Sequence, residues 1–234
     1  MATPPQRTAR LAGALYFISA VPAGFAVFMQ LRFVVRDDAA ATAANILGAE
    51  MSFRLGFVAD LIGLMIFAGV VVMLYRLFAP VDRSLALLAA TLSVIGCVIQ
   101  AVDALADAGA LLFLKGGSNL SGFTPDQSRE LALVFLKLNS LSYTIALGFF
   151  GASIVLFSVI AFRTEVVPRM VAVLWTIGGL GYWTFSITAL AVPSFAAQLS
   201  PILPFGTALG DFAMMAWLLV KGVDVGRWER QAVA

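Results

Sequence analysis

No histidine occurs anywhere in the chain, and Cys97 is its single cysteine. The first absence removes the commonest metal ligand and the commonest acid–base group at neutral pH. A bis-histidine haem, a histidine-ligated zinc and a Ser–His dyad are therefore excluded. The second rules out an internal disulfide, a thiol redox pair or an iron–sulfur cluster built within the chain. No Gly-x-x-x-x-Gly-Lys-Ser/Thr run is present, so there is no ordinary P-loop. No cofactor and no metal are expected.

Charge is scarce as well. Only 12% of the 234 residues are charged and 61% are hydrophobic, against about a quarter charged in a soluble domain. Mean hydropathy is +0.97. What fills the chain instead is a series of apolar runs, each near the roughly 20 residues that a membrane crossing needs. These runs predict an all-α integral membrane bundle of six transmembrane helices, a single domain over residues 1–234, with the lipid bilayer as its main partner. The helices are expected at residues 8–35, 51–78, 84–114, 125–162, 168–192 and 204–220. The first run is longer than a signal peptide's apolar core and has no clear cleavage site, so it reads as a retained helix.

Local signals mark several ends. Thr124-Pro125-Asp126-Gln127 reads as a capping box with proline at the first helical position. Ser200-Pro201 repeats the cap-then-proline order, and Asp82 or Ser84 can cap the third helix. Pro22 lies inside the first helix, where a kink is expected. Residues 38–49, Ala-rich and opened by Asp37 and Asp38, suit a short helix outside the membrane. The Gly- and Ser-rich stretch 115–121 reads as a flexible loop.

Orientation follows from lysine and arginine in the short connections. Arg7, Arg10, Arg76, Arg83, Arg163, Arg169, Lys221, Arg227 and Arg230 fall on one side, and Arg32, Arg36, Arg54, Lys115 and Arg129 on the other. Both termini are thus expected in the cytoplasm and the protein in the plasma (bacterial inner) membrane. The net charge of +2 comes from these loops and gives no reason to expect nucleic acid.

Several motifs together resemble a known family. They are Arg10-Leu-Ala-Gly-Ala-Leu-Tyr16; Asp38-Ala-Ala-Ala-Thr-Ala-Ala-Asn-Ile46 leading to Phe53-Arg54-Leu-Gly-Phe-Val-Ala-Asp60; Leu74-Tyr75-Arg76 with Pro80-Val81-Asp82-Arg83; and Pro168-Arg169 with Gly178-Gly179-Leu-Gly-Tyr182. The chain resembles, from about Arg7 to Lys221, the bacterial and archaeal membrane proteins grouped as domain of unknown function 4386. That resemblance implies a multi-span membrane protein and supplies no activity, cofactor or catalytic residue.

Ionisable residues inside apolar runs are costly and point to a site. Ser93, Gly96, Gln100, Asp103 and Asp107 step by three or four residues and share one helix face. Two carboxylates one turn apart repel when both are ionised. An apolar setting keeps one protonated or admits a cation between them. The bland alternative is a polar seam that only holds helices together. In the fourth helix Lys137, Ser140, Thr144, Gly151 and Ser158 form a matching face, and Lys137 is the expected partner of an acid unless it snorkels outward. Asn139 and Tyr143 lie on an adjacent face.

Counting about 1.5 Å per residue from the assumed outer helix ends places Asp107, Lys137 and Asp211 about 10 Å deep, Asp60 about 12 Å and Asp103 about 16 Å. The expected site is therefore an outward-facing polar cavity. Asp103 and Asp107 are its acceptors, Lys137 the balancing charge, and Asp60, Arg54, Asp211, Gln100 and Asn139 complete it. It would bind or transport a small molecule or cation. The competing class is a structural or regulatory membrane subunit, and an intramembrane enzyme comes third because no motif supports one. Gly206-x-x-x-Gly210 permits close helix approach, within the bundle or between protomers.

Overall fold

A computed structural model describes residues 5–116, 122–164, 167–199, 203–223 and 228. Among the described residues eight helices follow one another: α1 Pro5–Phe33, α2 Ala39–Gly48, α3 Glu50–Phe78, α4 Arg83–Lys115, α5 Pro125–Arg163, α6 Arg169–Ala191, α7 Pro193–Leu199 and α8 Leu203–Val220. No strand occurs among the described residues. Five of the helices (α1, α3, α4, α5 and α6) are long and apolar enough to cross a membrane. The expected sixth span falls on α8, whose stretch Gly206–Val220 is apolar but shorter. Large apolar side chains on these helices stand open, Leu31, Met65, Leu105 and Met170 among them. Such faces suit hydrocarbon as solvent, where each helix satisfies its own backbone.

The helix ends follow from local chemistry. Thr124 and Gln127 close the expected capping box: the Thr124 N–H donates to Gln127 Oε1 at 2.8 Å, and the Gln127 N–H to Thr124 Oγ1 at 3.3 Å. Asp82, rather than Ser84, caps α4 by accepting the Leu85 N–H at 2.9 Å. Asp38 caps α2 from the Ala41 N–H at 2.8 Å, just after Asp37 takes a left-handed φ of 56°. Residues 193–199, expected to be connection, instead form α7 with a proline in its first turn, where the missing N–H costs nothing. Of the flexible loop expected over 115–121, Lys115 is the last residue of α4 and residues 117–121 lie outside the described residues, as does the expected cap at Ser200-Pro201.

The chain divides into two compact units. Unit 1 comprises Met1–Ile18, Ile66–Cys97 and Thr144–Ala234. Its core holds Leu77, Phe78, Phe157, Ile160, Trp175, Met214 and Leu218, all at most 2% exposed. Phe157 stacks on Trp175 at 6.2 Å between ring centroids. Glycine lets helices touch by backbone here: a Cβ at Gly210 would meet the Leu174 carbonyl, and one at Gly151 would lie 2.6 Å from the Gly179 oxygen. The end of α8 turns through Gly222, whose φ is +68°. Gln6 grips that turn, donating to the Lys221 carbonyl at 2.8 Å and accepting the Val223 N–H at 2.7 Å. Trp228 donates its indole N–H to the Leu77 carbonyl at 3.1 Å. Asp82 also receives Arg163 at 2.9 Å.

Unit 2 comprises Ser19–Met65 and Val98–Tyr143. Met29, Phe33, Ile46, Phe53, Ala110, Leu111, Ala132 and Leu136 form its apolar core. The short helix α2 is seated here by Ile46, which is fully buried, and by the Asn45 amide on the Phe33 carbonyl at 3.3 Å. Thr42 adds bonds to the Val35 N–H and carbonyl at 3.0 and 3.1 Å.

Candidate functional site

The polar face predicted on α4 is buried along its whole length: Ser93, Gly96, Gln100, Asp103 and Asp107 are all inside. Its first two members belong to unit 1, where Ser93 and Ser153 share a hydrogen bond of 2.6 Å and Ser153 bonds the Ala89 carbonyl at 2.7 Å. Its last three belong to unit 2, and these carry the chemistry.

In unit 2, Asp60 of α3 accepts the Gln100 amide at 3.0 Å. Asp103 is 4% exposed and Asp107 6%. The three carboxyl groups lie near enough for their charges to act on one another, and Ser142 of α5 lies beside Asp103. Asn139 of α5, 5% exposed, donates to the Asp103 backbone carbonyl at 3.3 Å and accepts the Gln30 amide of α1 at 2.6 Å. The Ser142 hydroxyl donates to the Ile99 carbonyl at 3.3 Å. Four helices thus contribute polar groups around the acids.

Two oxygens in this cluster lack partners. Asp103 Oδ1 and Asp107 Oδ1 are buried and make no hydrogen bond among the described residues. No ion pair reaches Asp60, Asp103 or Asp107 among those residues either. Two ionised carboxylates about 6 Å apart at an effective dielectric of about 20 repel by roughly 3 kcal/mol. Three such groups with no cation invite a positively charged species. No three acidic or sulfur side chains converge as a metal-ligand set among the described residues.

The cations expected here have other partners. Lys137 pairs with Asp37 at 3.0 Å, and both side chains are exposed. The reason is angular. Asn139 faces the acids, and Lys137, two residues earlier, points about 200° away around α5. Depth along one axis could not reveal that. At 39 residues α5 is also about 58 Å long, nearly twice the thickness of a bilayer core, so counting inward from its end overstates depth. Arg54 pairs with Glu50, one turn back, at 2.8 Å, and Glu50 also holds Lys115 at 3.0 Å. Neither Lys137 nor Arg54 is bonded to the acids.

Asp211 belongs to unit 1. It accepts Tyr16 at 2.7 Å and Tyr182 at 2.9 Å, with Trp175 beside it. Its neighbours are thus aromatic hydroxyls and an indole. Gln30 and Ser142 escaped the sequence reading. Gln30 was visible as the one amide in the apolar run Phe25–Phe33, and Ser142 as the residue one turn beyond Asn139.

Every residue of the cluster, from Gln30 to Ser142, falls inside a single family match. The model for Domain of unknown function (DUF4386) covers residues 11–222. The chain belongs to this family. No curated protein and no solved structure matches it. The match on the DUF4386 chain takes in Asp211 as well as the unit 2 acids.

Proposed function

We propose that this DUF4386 protein is a multi-pass membrane protein whose unit 2 acids bind a small positively charged species. The observation that carries the reading is the pair Asp103 and Asp107. Both are buried, each has one oxygen without a partner, and no cation is paired with either among the described residues. Asp60 adds a third negative group, and Gln30, Gln100, Asn139 and Ser142 frame the place. In the wider reading the site opens outward and serves binding or transport. This reading takes six spans, which puts both termini on one side, and the lysine and arginine bias of the connections makes that side the cytoplasm of a cell with a plasma or inner membrane. The grip of Gln6 on the end of α8 supports that parity, since it joins the first helix to the last at one end of unit 1.

The hydrogen bonds linking Gln30, Asn139 and the Asp103 carbonyl favour a second reading, in which the polar groups only fasten α1, α4 and α5. Thermal unfolding of purified protein, with pH and with sodium, potassium or methylammonium varied, separates the two. The first reading expects stability that depends on pH or on a cation, and loss of that dependence in Asp103→Asn/Asp107→Asn with the fold intact. A double variant that fails to fold, from a wild type indifferent to pH and cations, supports the fastening role.

A further inference from the structure

We propose that the positive species is a proton, carried by Asp103 and Asp107 and exchangeable with solvent, while Asp60 stays the carboxylate of the trio. This rests on the reading that the unit 2 acids accept positive charge, and it names which charge. The division follows from the hydrogen-bond donors. Asp60 receives the Gln100 amide hydrogen at 3.0 Å, and a donor of this kind favours the ionised form. Asp103 Oδ1 and Asp107 Oδ1 are buried and receive nothing among the described residues. A proton added there turns an acceptor-only carboxylate into a hydroxyl donor. The two groups stand one helical turn apart, so a hydroxyl on one can turn to its neighbour.

A dehydrated metal ion fits less well. It needs six or so oxygens around one point, and the three carboxyl groups, though near one another, do not form a metal-ligand set among the described residues. Other charged groups of unit 2 lie at the surface or have other partners: Arg36 and Glu130 are exposed, and Arg129 pairs with Asp126 at 2.8 Å. From α5, Asn139 and Ser142 face the acids while Lys137 is held by Asp37. From α1, Gln30 reaches Asn139, and the Arg32 guanidinium sits 5.7 Å over the Phe33 ring. Asp38 caps α2, and Glu50 binds Arg54 and Lys115. Among the charged side chains of the described residues, Asp60 is the one that acts on the pair from another helix, and it is an acid.

The test is infrared difference spectroscopy of the full chain in nanodiscs, recorded near neutral pH against alkaline pH. A carbonyl band of protonated carboxyl should be present at neutral pH and shift in heavy water. It should fall by about half in Asp103→Asn and in Asp107→Asn and persist in Asp60→Asn. Carbodiimide, which reacts with protonated carboxyl groups in apolar surroundings, provides a second measurement on the unaltered protein. Label mapped by mass spectrometry should sit on Asp103 or Asp107 and decline as pH rises. A neutral-pH band that survives both substitutions, or label confined to Asp60, overturns the assignment. If no such band exists but sodium or methylammonium binds in an Asp103-dependent way, the proton assignment falls and the cation site stands. If neither species binds, both fall.

Discussion

Replacing Gly210 by alanine tests how α8 is held against α6. A Cβ at Gly210 would run into the Leu174 carbonyl and lie 3.3 Å from the Gly178 Cα, whereas one at Gly206 would meet nothing within 4 Å. The obstruction is backbone, so no side chain can rotate away to make room. Overpacking of this kind costs about 1–3 kcal/mol. Alanine also gains up to about 1 kcal/mol over glycine as a helix former. Gly206→Ala therefore keeps only the gain and should be neutral or more stable, while Gly210→Ala should lose up to roughly 2–3 kcal/mol net and fall below Gly206→Ala by about 1–3 kcal/mol. Denaturant unfolding in mixed micelles, followed by circular dichroism and tryptophan fluorescence, measures the difference. Equal stability of the two variants would refute the packing argument. A loss confined to Gly206→Ala would show instead that the open glycine meets a second chain.

Three further outcomes are expected. Tyr16→Phe and Tyr182→Phe each remove one donor from Asp211 and should cost about 0.6–1.7 kcal/mol, the range of interhelical hydrogen bonds in membranes. Their double variant should depart from additivity by at least about 0.5 kcal/mol in unfolding experiments, and strict additivity would mean that the two hydroxyls do not share one carboxylate. Gln6→Leu should destabilise by about 1 kcal/mol and speed hydrogen exchange at the Val223 amide, since both grips on the α8 end are lost; unchanged exchange would disprove the grip. Lys137→Met should cost no more than about 1 kcal/mol, as befits an exposed pair, and should leave the carboxyl infrared signal untouched; an altered signal would put Lys137 beside the acids after all.

The long helices were legible because apolar runs of membrane length leave few alternatives, and the capping box at Thr124 and Gln127 forms as its residues require. The polar face of α4 was legible for the same reason, since helical period alone brings Gln100, Asp103 and Asp107 together. Partners across helices were not. Lys137 and Asn139 differ by two positions, yet one meets exposed Asp37 and the other the Asp103 carbonyl. Choosing between them requires knowing how α5 is rotated, and rotation is set by tertiary packing. Asp211 shows the same limit: its partners Tyr16 and Tyr182 come from α1 and α6, and no local pattern joins them. Helix α7 was hidden because seven residues between a proline and a masking apolar context carry no clear period.

The central claim is that Asp103 and Asp107 hold positive charge that the chain itself does not supply. Counting bound protons and small cations per chain near neutral pH, by potentiometric titration and equilibrium dialysis of wild type and Asp103→Asn/Asp107→Asn, tests it most directly. The account predicts that the wild type holds one or two more such charges than the double variant, about one for each substituted acid that is neutralised. Equal counts for the two proteins would contradict it.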